Sequence, residues 1–222
     1  MGYLKWYGHA AFEFELDNVK GLIDPWLTNP LSPVKPNDIK DVDVILVTHD
    51  HGDHLGETVE IAKRTKATVI GIFELIQDLS GKGLSELVGM NIGGTYIFKG
   101  LKIHMVQAFH SCNVGSPVGF IVEGKETTFY HTGDTALFSD MKLFKALYNP
   151  KIALLPIGSH FTMGPMEALK AIELLEPEVV IPMHYNTFPV IVQDPEEFKK
   201  VVKEKYPNVE VVVLKPGESY TF

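Results

Sequence analysis

Thiols are almost absent: Cys112 is the single cysteine in 222 residues. One thiol closes no intrachain disulfide and builds no thiolate-rich zinc cluster within a chain, so a reducing compartment, the cytoplasm, is the expected location. Basic residues are also few, 20 Lys and Arg against 28 Asp and Glu, a formal net charge of −8. That balance disfavours a nucleic-acid partner, because such binding rests on cations that neutralise phosphates. No run approaches the roughly 18 consecutive apolar residues of a membrane span. The opening Met1 to Trp6 lacks the basic, apolar and small-residue regions of a signal peptide, and a soluble chain with no membrane association is expected. There is no Gly-x-Ser-x-Gly elbow for serine hydrolysis. Gly81-Lys82-Gly83 and Gly93-Gly94 do not complete a phosphate-binding loop and read as turns.

What remains is a globular composition, 45% hydrophobic, with no linker and no internal repeat, read as one domain over residues 1–222. Period-two alternation marks strands within Lys5 to Leu16, and Gly21 to Ile23 continues the pattern. Val42 to Thr48 is rich in branched residues, the composition of a strand buried on both faces. Further strands are expected at Ala67 to Gly71, Gly94 to Phe98, Leu101 to Phe109, Pro117 to Glu123, Thr127 to His131, Ile152 to Ile157, Val179 to Met183 and Val209 to Leu214. Helices are expected at Thr58 to Lys66, Phe73 to Leu79, Ser139 to Leu147, from Pro165 to Leu175, and Pro195 to Tyr206. Hairpins mixed with strand and helix alternation favour an α+β class, layered sheets with helices outside.

Directly after the Val42 to Thr48 strand stands His49-Asp50-His51-Gly52-Asp53-His54. His-x-His-x-Asp-His arises by chance in roughly one such chain in a thousand, and dense imidazoles beside carboxylates serve metal ions better than they serve a hydrated turn. A tight turn can point His49 and His51 one way and Asp53 and His54 another, so one segment can feed two ions. Imidazole and carboxylate without thiolate suit Zn2+, with Mn2+, Fe or Ni2+ as other candidates. More ligands are needed, and His110, Asp134 and His184 each follow a largely apolar strand, where loops at a sheet edge carry functional groups.

These residues carry a family resemblance. With Gly8-His9, Asp24-Pro25, the His49 to His54 motif, His110, Thr132-Gly133-Asp134 and Pro182-Met183-His184, the whole chain resembles the metallo-beta-lactamase fold hydrolases. It is most similar to the small bacterial and archaeal metal-dependent hydrolases akin to L-ascorbate-6-phosphate lactonase. The resemblance implies a four-layer αβ/βα sandwich, two mixed β-sheets packed face to face with helices on both outer faces. It also implies that His49, His51 and His110 bind one metal and Asp53, His54 and His184 the other, with Asp134 bridging.

The implied chemistry is hydrolysis by a hydroxide held between two cations, attacking a small-molecule ester, lactone or phosphorylated metabolite. Asp53 is expected to act catalytically as well as to bind metal. His160, in the loop after Ile157, is a second catalytic candidate that donates a proton or touches substrate. Asp24 and His9 are expected behind the ligands, orienting them. Trp6, Tyr7 and Trp26 either wall the cleft or fill the core, and Cys112 and His104 read as structural. The competing functions are a metal-dependent phosphodiesterase or nuclease and a non-catalytic metal-stabilised binding or scaffold protein. A homo-oligomer is compatible with the resemblance.

Overall fold

The computed structural model describes residues 2–222. Two seven-stranded sheets are built in parallel fashion, each starting as an antiparallel meander and ending as a parallel array. In the first sheet, β1 (Tyr3–Trp6), β2 (Phe12–Leu16) and β3 (Val19–Ile23) are antiparallel. Parallel strands β4 (Val44–Leu46), β5 (Thr68–Ile72) and β6 (Leu87–Met90) extend it. In the second sheet, β7 (Thr95–Phe98), β8 (Leu101–Gln107), β9 (Val118–Glu123) and β10 (Thr128–His131) form the meander. The parallel strands there are β11 (Ile152–Pro156), β12 (Val179–Met183) and β13 (Glu210–Val211). A last strand, β14 (Ser219–Thr221), returns to the first sheet beside β1.

The helices sit where parallel strands need crossovers. They are α1 (Gly52–Leu55), α2 (Thr58–Thr65), α3 (Phe73–Ser80), α4 (Met141–Tyr148), α5 (Pro165–Leu175) and α6 (Pro195–Lys205). Pro165 and Pro195 open their helices, where a missing N–H costs nothing, and Asp194 accepts from the Glu196 and Glu197 amides at 2.9 and 3.2 Å to cap α6. Phe12, Phe14, Phe120 and Phe129 are fully buried, and Phe14 of β2 meets Phe129 of β10 with ring centroids 5.3 Å apart, joining the sheets. Each such ring contributes about 1.5–3 kcal/mol of apolar burial. The architecture is the expected α+β sandwich of two mixed sheets flanked by helices.

Two local expectations need correction, and strand β6 has no counterpart among the expected elements. The closing strand expected over Val209 to Leu214 is only Glu210–Val211, because after two pairs with β12 the chain leaves this sheet for the other one. Strand β6 carries no alternation and holds Gly89, since it is a half-exposed edge. Lys5 to Leu16 is broken at residues 7–11 by a turn in which Tyr7 N–H bonds Ala11 O at 2.8 Å, and that turn carries His9.

Parallel strands end on the same side. β3 and β4 in one sheet and β10, β11 and β12 in the other therefore deliver their C-terminal loops to one edge of the sandwich, the place where such sheets leave a crevice.

Candidate metal centre

After β4 the chain bends at Asp50 and His51, His51 itself being extended, and then closes the single turn α1, in which the His54 and Leu55 amides bond His51 O at 3.0 and 2.8 Å. A bend followed by one helical turn sends the four motif side chains into two groups, His49 with His51 and Asp53 with His54. Gly56 ends the turn at φ +45°, and a Cβ there would lie 2.5 Å from Pro25 O and from Trp26 Cα. Only glycine allows α1 to lie this close to the loop that carries Asp24.

Three clusters of ligand-type atoms result, each with its atoms within 4.8 Å of one another: His49, His51 and His110; His9, Asp53, His54 and His184; and His49, His54 and Asp134. The third shares a histidine with each of the others. Asp134 Oδ2 lies 3.0 Å from His184 Nε2, 3.2 Å from His54 Nε2 and 3.5 Å from His110 Nε2, so one carboxylate oxygen stands between the two sets. Every residue expected as a metal ligand is thus at one place, and His9 stands among them.

Local strain aims several of these side chains. His9, Asp24 and His184 adopt φ of +53°, +47° and +55°, a left-handed conformation that costs roughly 1–2 kcal/mol for a residue with a Cβ. Such strain persists where the surroundings enforce it. The His184 amide bonds His9 O at 3.0 Å, so two strained turns from different sheets lock together. Gly133, at φ +61°, brings Asp134 in where a Cβ would strike Val118 O at 2.5 Å. His131 donates from Nε2 to Ala10 O at 2.9 Å and accepts the Gly133 amide on Nδ1 at 3.1 Å, which supports the same loop.

Behind the clusters, hydrogen bonds fix the imidazole tautomers. Fully buried Asp24 accepts from the Thr48 amide at 2.8 Å, the Thr48 hydroxyl at 2.6 Å and His54 Nδ1 at 2.7 Å. The Thr48 hydroxyl, having given its proton to Asp24, accepts from His49 Nδ1 at 3.0 Å. Both rings thereby engage Nδ1 behind the centre and turn Nε2 toward it. His9 donates from Nε2 to Asp53 at 3.0 Å and accepts the Thr187 hydroxyl on Nδ1 at 2.5 Å. Thr48 and Thr187 were not legible as site residues, since a strand-end threonine and a loop threonine carry no pattern.

Burial pushes the His49 ring down to about 2 and that of His9 to about 4, and it lowers His110 as well, favouring the neutral form that binds metal. Burial also opposes charge on His54, but Asp134 and Asp24 on either side of it raise its pKa well above the usual range. Burial would raise Asp134, yet the His184 and His54 rings hold it far below the ordinary carboxylate value. The edge gathers three carboxylates, Asp24, Asp53 and Asp134, and leaves His54 Nε2, both His184 nitrogens and Asp134 Oδ1 buried with no hydrogen-bond partner. Buried imidazole nitrogens and a carboxylate oxygen without protein partners, in an anionic pocket, are a ligand set that fits two divalent cations, which would take the place of the proton on His54.

Above the clusters lies a cavity of about 880 Å³, bordered by Trp26, His51, Asp53, His110, Asp134, Phe161, His184, Phe188 and Val190 among others. Trp26 therefore walls the cleft, whereas Trp6 and Tyr7 belong to the core. His160 is exposed and does not border the cavity; its neighbour Phe161 does. Cys112 stands outside the cavity lining with Sγ 3.3 Å from Gly115 O. His104 is satisfied by Thr95 at 2.8 Å and Glu123 at 3.1 Å. No helix among the described residues is long and apolar enough to cross a membrane.

Residues 18–185 match the model of the beta-lactamase superfamily domain. The chain is 55% identical over 220 residues to a UPF0173 metal-dependent hydrolase of Caldivirga maquilingensis, covering 98% of this chain and 97% of that one. It is 56% identical to a UPF0173 metal-dependent hydrolase of Methanopyrus kandleri, covering 98% of each. Among solved structures, Igni18, a metallo hydrolase from the hyperthermophilic archaeon Ignicoccus hospitalis, superposes with a TM-score of 0.93 at 45% identity, over 100% of this chain and 99% of that one. With two sets of ligand atoms meeting at Asp134 and this coverage by its relatives, the chain belongs to the UPF0173 family of metal-dependent hydrolases, within the beta-lactamase superfamily.

Proposed function

We propose that the protein hydrolyses a small ester, lactone or phosphorylated metabolite at two divalent cations, zinc being the first candidate. In this reading His49, His51 and His110 hold one cation, Asp53, His54 and His184 hold the other, and Asp134 bridges them. The observation that carries it is the position of Asp134 Oδ2, 3.0–3.5 Å from His184, His54 and His110, which come from both sets. A purely structural site needs one four-ligand ion, so a second set of ligands argues for turnover over a scaffold.

When bound, paired cations lower the pKa of water and polarise the substrate oxygen. The chain's own contribution is orientation. Asp24 and Thr48 hold His54 and His49 in the tautomer whose Nε2 faces the centre. Asp53 keeps one oxygen on His9 and is partly exposed to the cavity, so it is placed to take a proton from an entering water or return it to a leaving oxygen. Because the cavity borders this edge, a substrate carbonyl or phosphoryl group can reach the ligand atoms directly.

The kinship to L-ascorbate-6-phosphate lactonases belongs to this proposal and rests on sequence resemblance alone, at Gly8-His9 and the Pro156 to Phe161 segment. The test is to measure metal per chain and to assay lactones, carboxylic esters and phosphodiesters with wild type and Asp134→Ala. Two metals per chain, with turnover lost in the variant, is the expected result. Full loading with no turnover in any of the three classes would leave the scaffold reading standing.

A further inference from the structure

The walls of the cavity carry a second message, one that rests on the hydrolase reading and narrows its substrate. Apart from the residues of the metal clusters, the side chains bordering the cavity are Trp26, Ser111, Phe161, Phe188 and Val190; among the described residues lining it there is no lysine or arginine. A remote phosphate or carboxylate would find no cation and no donor fork here, the groups that recognise such anions.

The apolar residues, by contrast, form an ordered surface. Trp26 follows β3, Phe161 follows β11, and Phe188 and Val190 follow β12, so three loops at the same edge supply them. Trp26 and Phe188 stack with centroids 5.7 Å apart and planes 24° from parallel. The buried His9 ring meets both edge-on, at 5.1 and 5.4 Å, which holds this platform beside the metal ligands. Phe161 and Val190 remain 49% and 53% exposed, large apolar side chains open to solvent at the cavity. A pocket of this size that is apolar in its walls and polar only at the reacting edge matches a substrate whose non-reacting part is flat and apolar.

We propose that the substrate is an uncharged ester or lactone bearing an aromatic group on the carbon that carries the leaving oxygen, with the ring lying against Trp26 and Phe188 and the carbonyl toward Asp134. For a lactone the balance is simple: water adds to the carbonyl carbon, the ring C–O bond breaks, the leaving oxygen takes a proton, and the product is the hydroxy acid.

The test compares γ-phenyl-γ-butyrolactone with γ-(phosphonooxymethyl)-γ-butyrolactone on the metal-loaded protein. Burying a phenyl group predicts a kcat/KM about tenfold or more higher for the phenyl compound, with Phe188→Ala removing most of that preference through KM. Phe188→Leu, which retains apolar volume, keeps part of it. Equal or faster hydrolysis of the phosphorylated lactone overturns the inference. Binding supplies the second readout: the phenyl and phosphorylated lactams, which resist hydrolysis, are titrated against tryptophan fluorescence, in which Trp6 is the only other emitter. If neither lactone turns over but the phenyl lactam binds more tightly and its quench disappears in Trp26→Phe, the lactone chemistry falls and the aromatic pocket stands. Equal or tighter binding of the phosphorylated lactam, or binding of neither, overturns the pocket assignment itself.

Discussion

Asp24 Oδ2 lies 2.7 Å from His54 Nδ1, and both side chains are wholly excluded from solvent. Through the Thr48 hydroxyl the same carboxylate reaches His49, so one acid behind the centre governs a ring from each set of ligands.

Asp24→Asn keeps the volume but replaces an acceptor with an amide nitrogen that cannot serve the Thr48 hydroxyl and His54 together. The expected outcome is a loss of about 1–3 kcal/mol in urea unfolding from unpaired buried groups. Metal affinity should fall by about 10–100-fold, as for other partners of ligand histidines. Calorimetric metal titration beside the unfolding curve checks both, and unchanged affinity would remove Asp24 from its orienting role.

His9 anchors Asp53 at 3.0 Å while its backbone sits at φ +53°. His9→Asn is the informative variant, because asparagine tolerates the left-handed conformation yet is too short to reach Asp53. We expect a folded protein by circular dichroism that binds the His49, His51 and His110 ion normally and the second ion about 10–100-fold more weakly. Equal weakening of both ions would mean that His9 acts through the fold and not through Asp53.

Chelation should destabilise the protein as well as silence it. A ligand present at a hundred times its Kd stabilises by about 2.7 kcal/mol, and the clusters leave four buried polar atoms without a protein partner. The melting temperature is expected to drop on metal removal and to recover with two equivalents of cation per chain. Recovery complete at one equivalent would contradict the paired arrangement.

Alkaline pH exposes another buried inventory. Burial raises the Tyr130 phenol, and burial together with the hydrogen bond to Glu13 raises Tyr3. An acid whose folded pKa exceeds its unfolded value, about 10 for tyrosine, binds more protons folded than unfolded. Its contribution is complete below about pH 10 and declines as pH climbs toward the folded value. Unfolding free energy should therefore fall above about pH 10, with tyrosinate absorbance for these groups appearing only as the protein unfolds. Tyr130 has a buried hydroxyl with no partner, so Tyr130→Phe should leave neutral-pH stability unchanged or raise it by about 1 kcal/mol, and should soften the alkaline decline.

Much of this was readable in advance, residue by residue. The His49 to His54 run is dense enough in metal-binding groups to announce itself, and the apolar strands before His110, Asp134 and His184 mark them as strand-end groups. Most element boundaries lie within two residues of those expected, the end of the closing strand being three short, because hydrophobic alternation reports burial and the ladder ends where a loop turns away. β6 and β14 were invisible: both are short edges whose partners, not their composition, make them strands. His160 is a loop histidine at a strand end with a left-handed φ of +49°; it is exposed, and its neighbour Phe161 is the residue that borders the cavity, a difference of one position that no sequence pattern marks.

By itself the sequence determined the ligand chemistry and the layered class, since residue type and apolar period act locally along the chain. Only the tertiary structure decided which atoms meet. Parallel strands from two sheets had to end at one edge before Asp134 could stand among His54, His110 and His184, before His9 could reach Asp53 across 44 residues, and before three separate loops could raise aromatic walls around them. Those are contacts between distant segments, set by sheet packing and strained turns, and no local pattern encodes the distance between two loops.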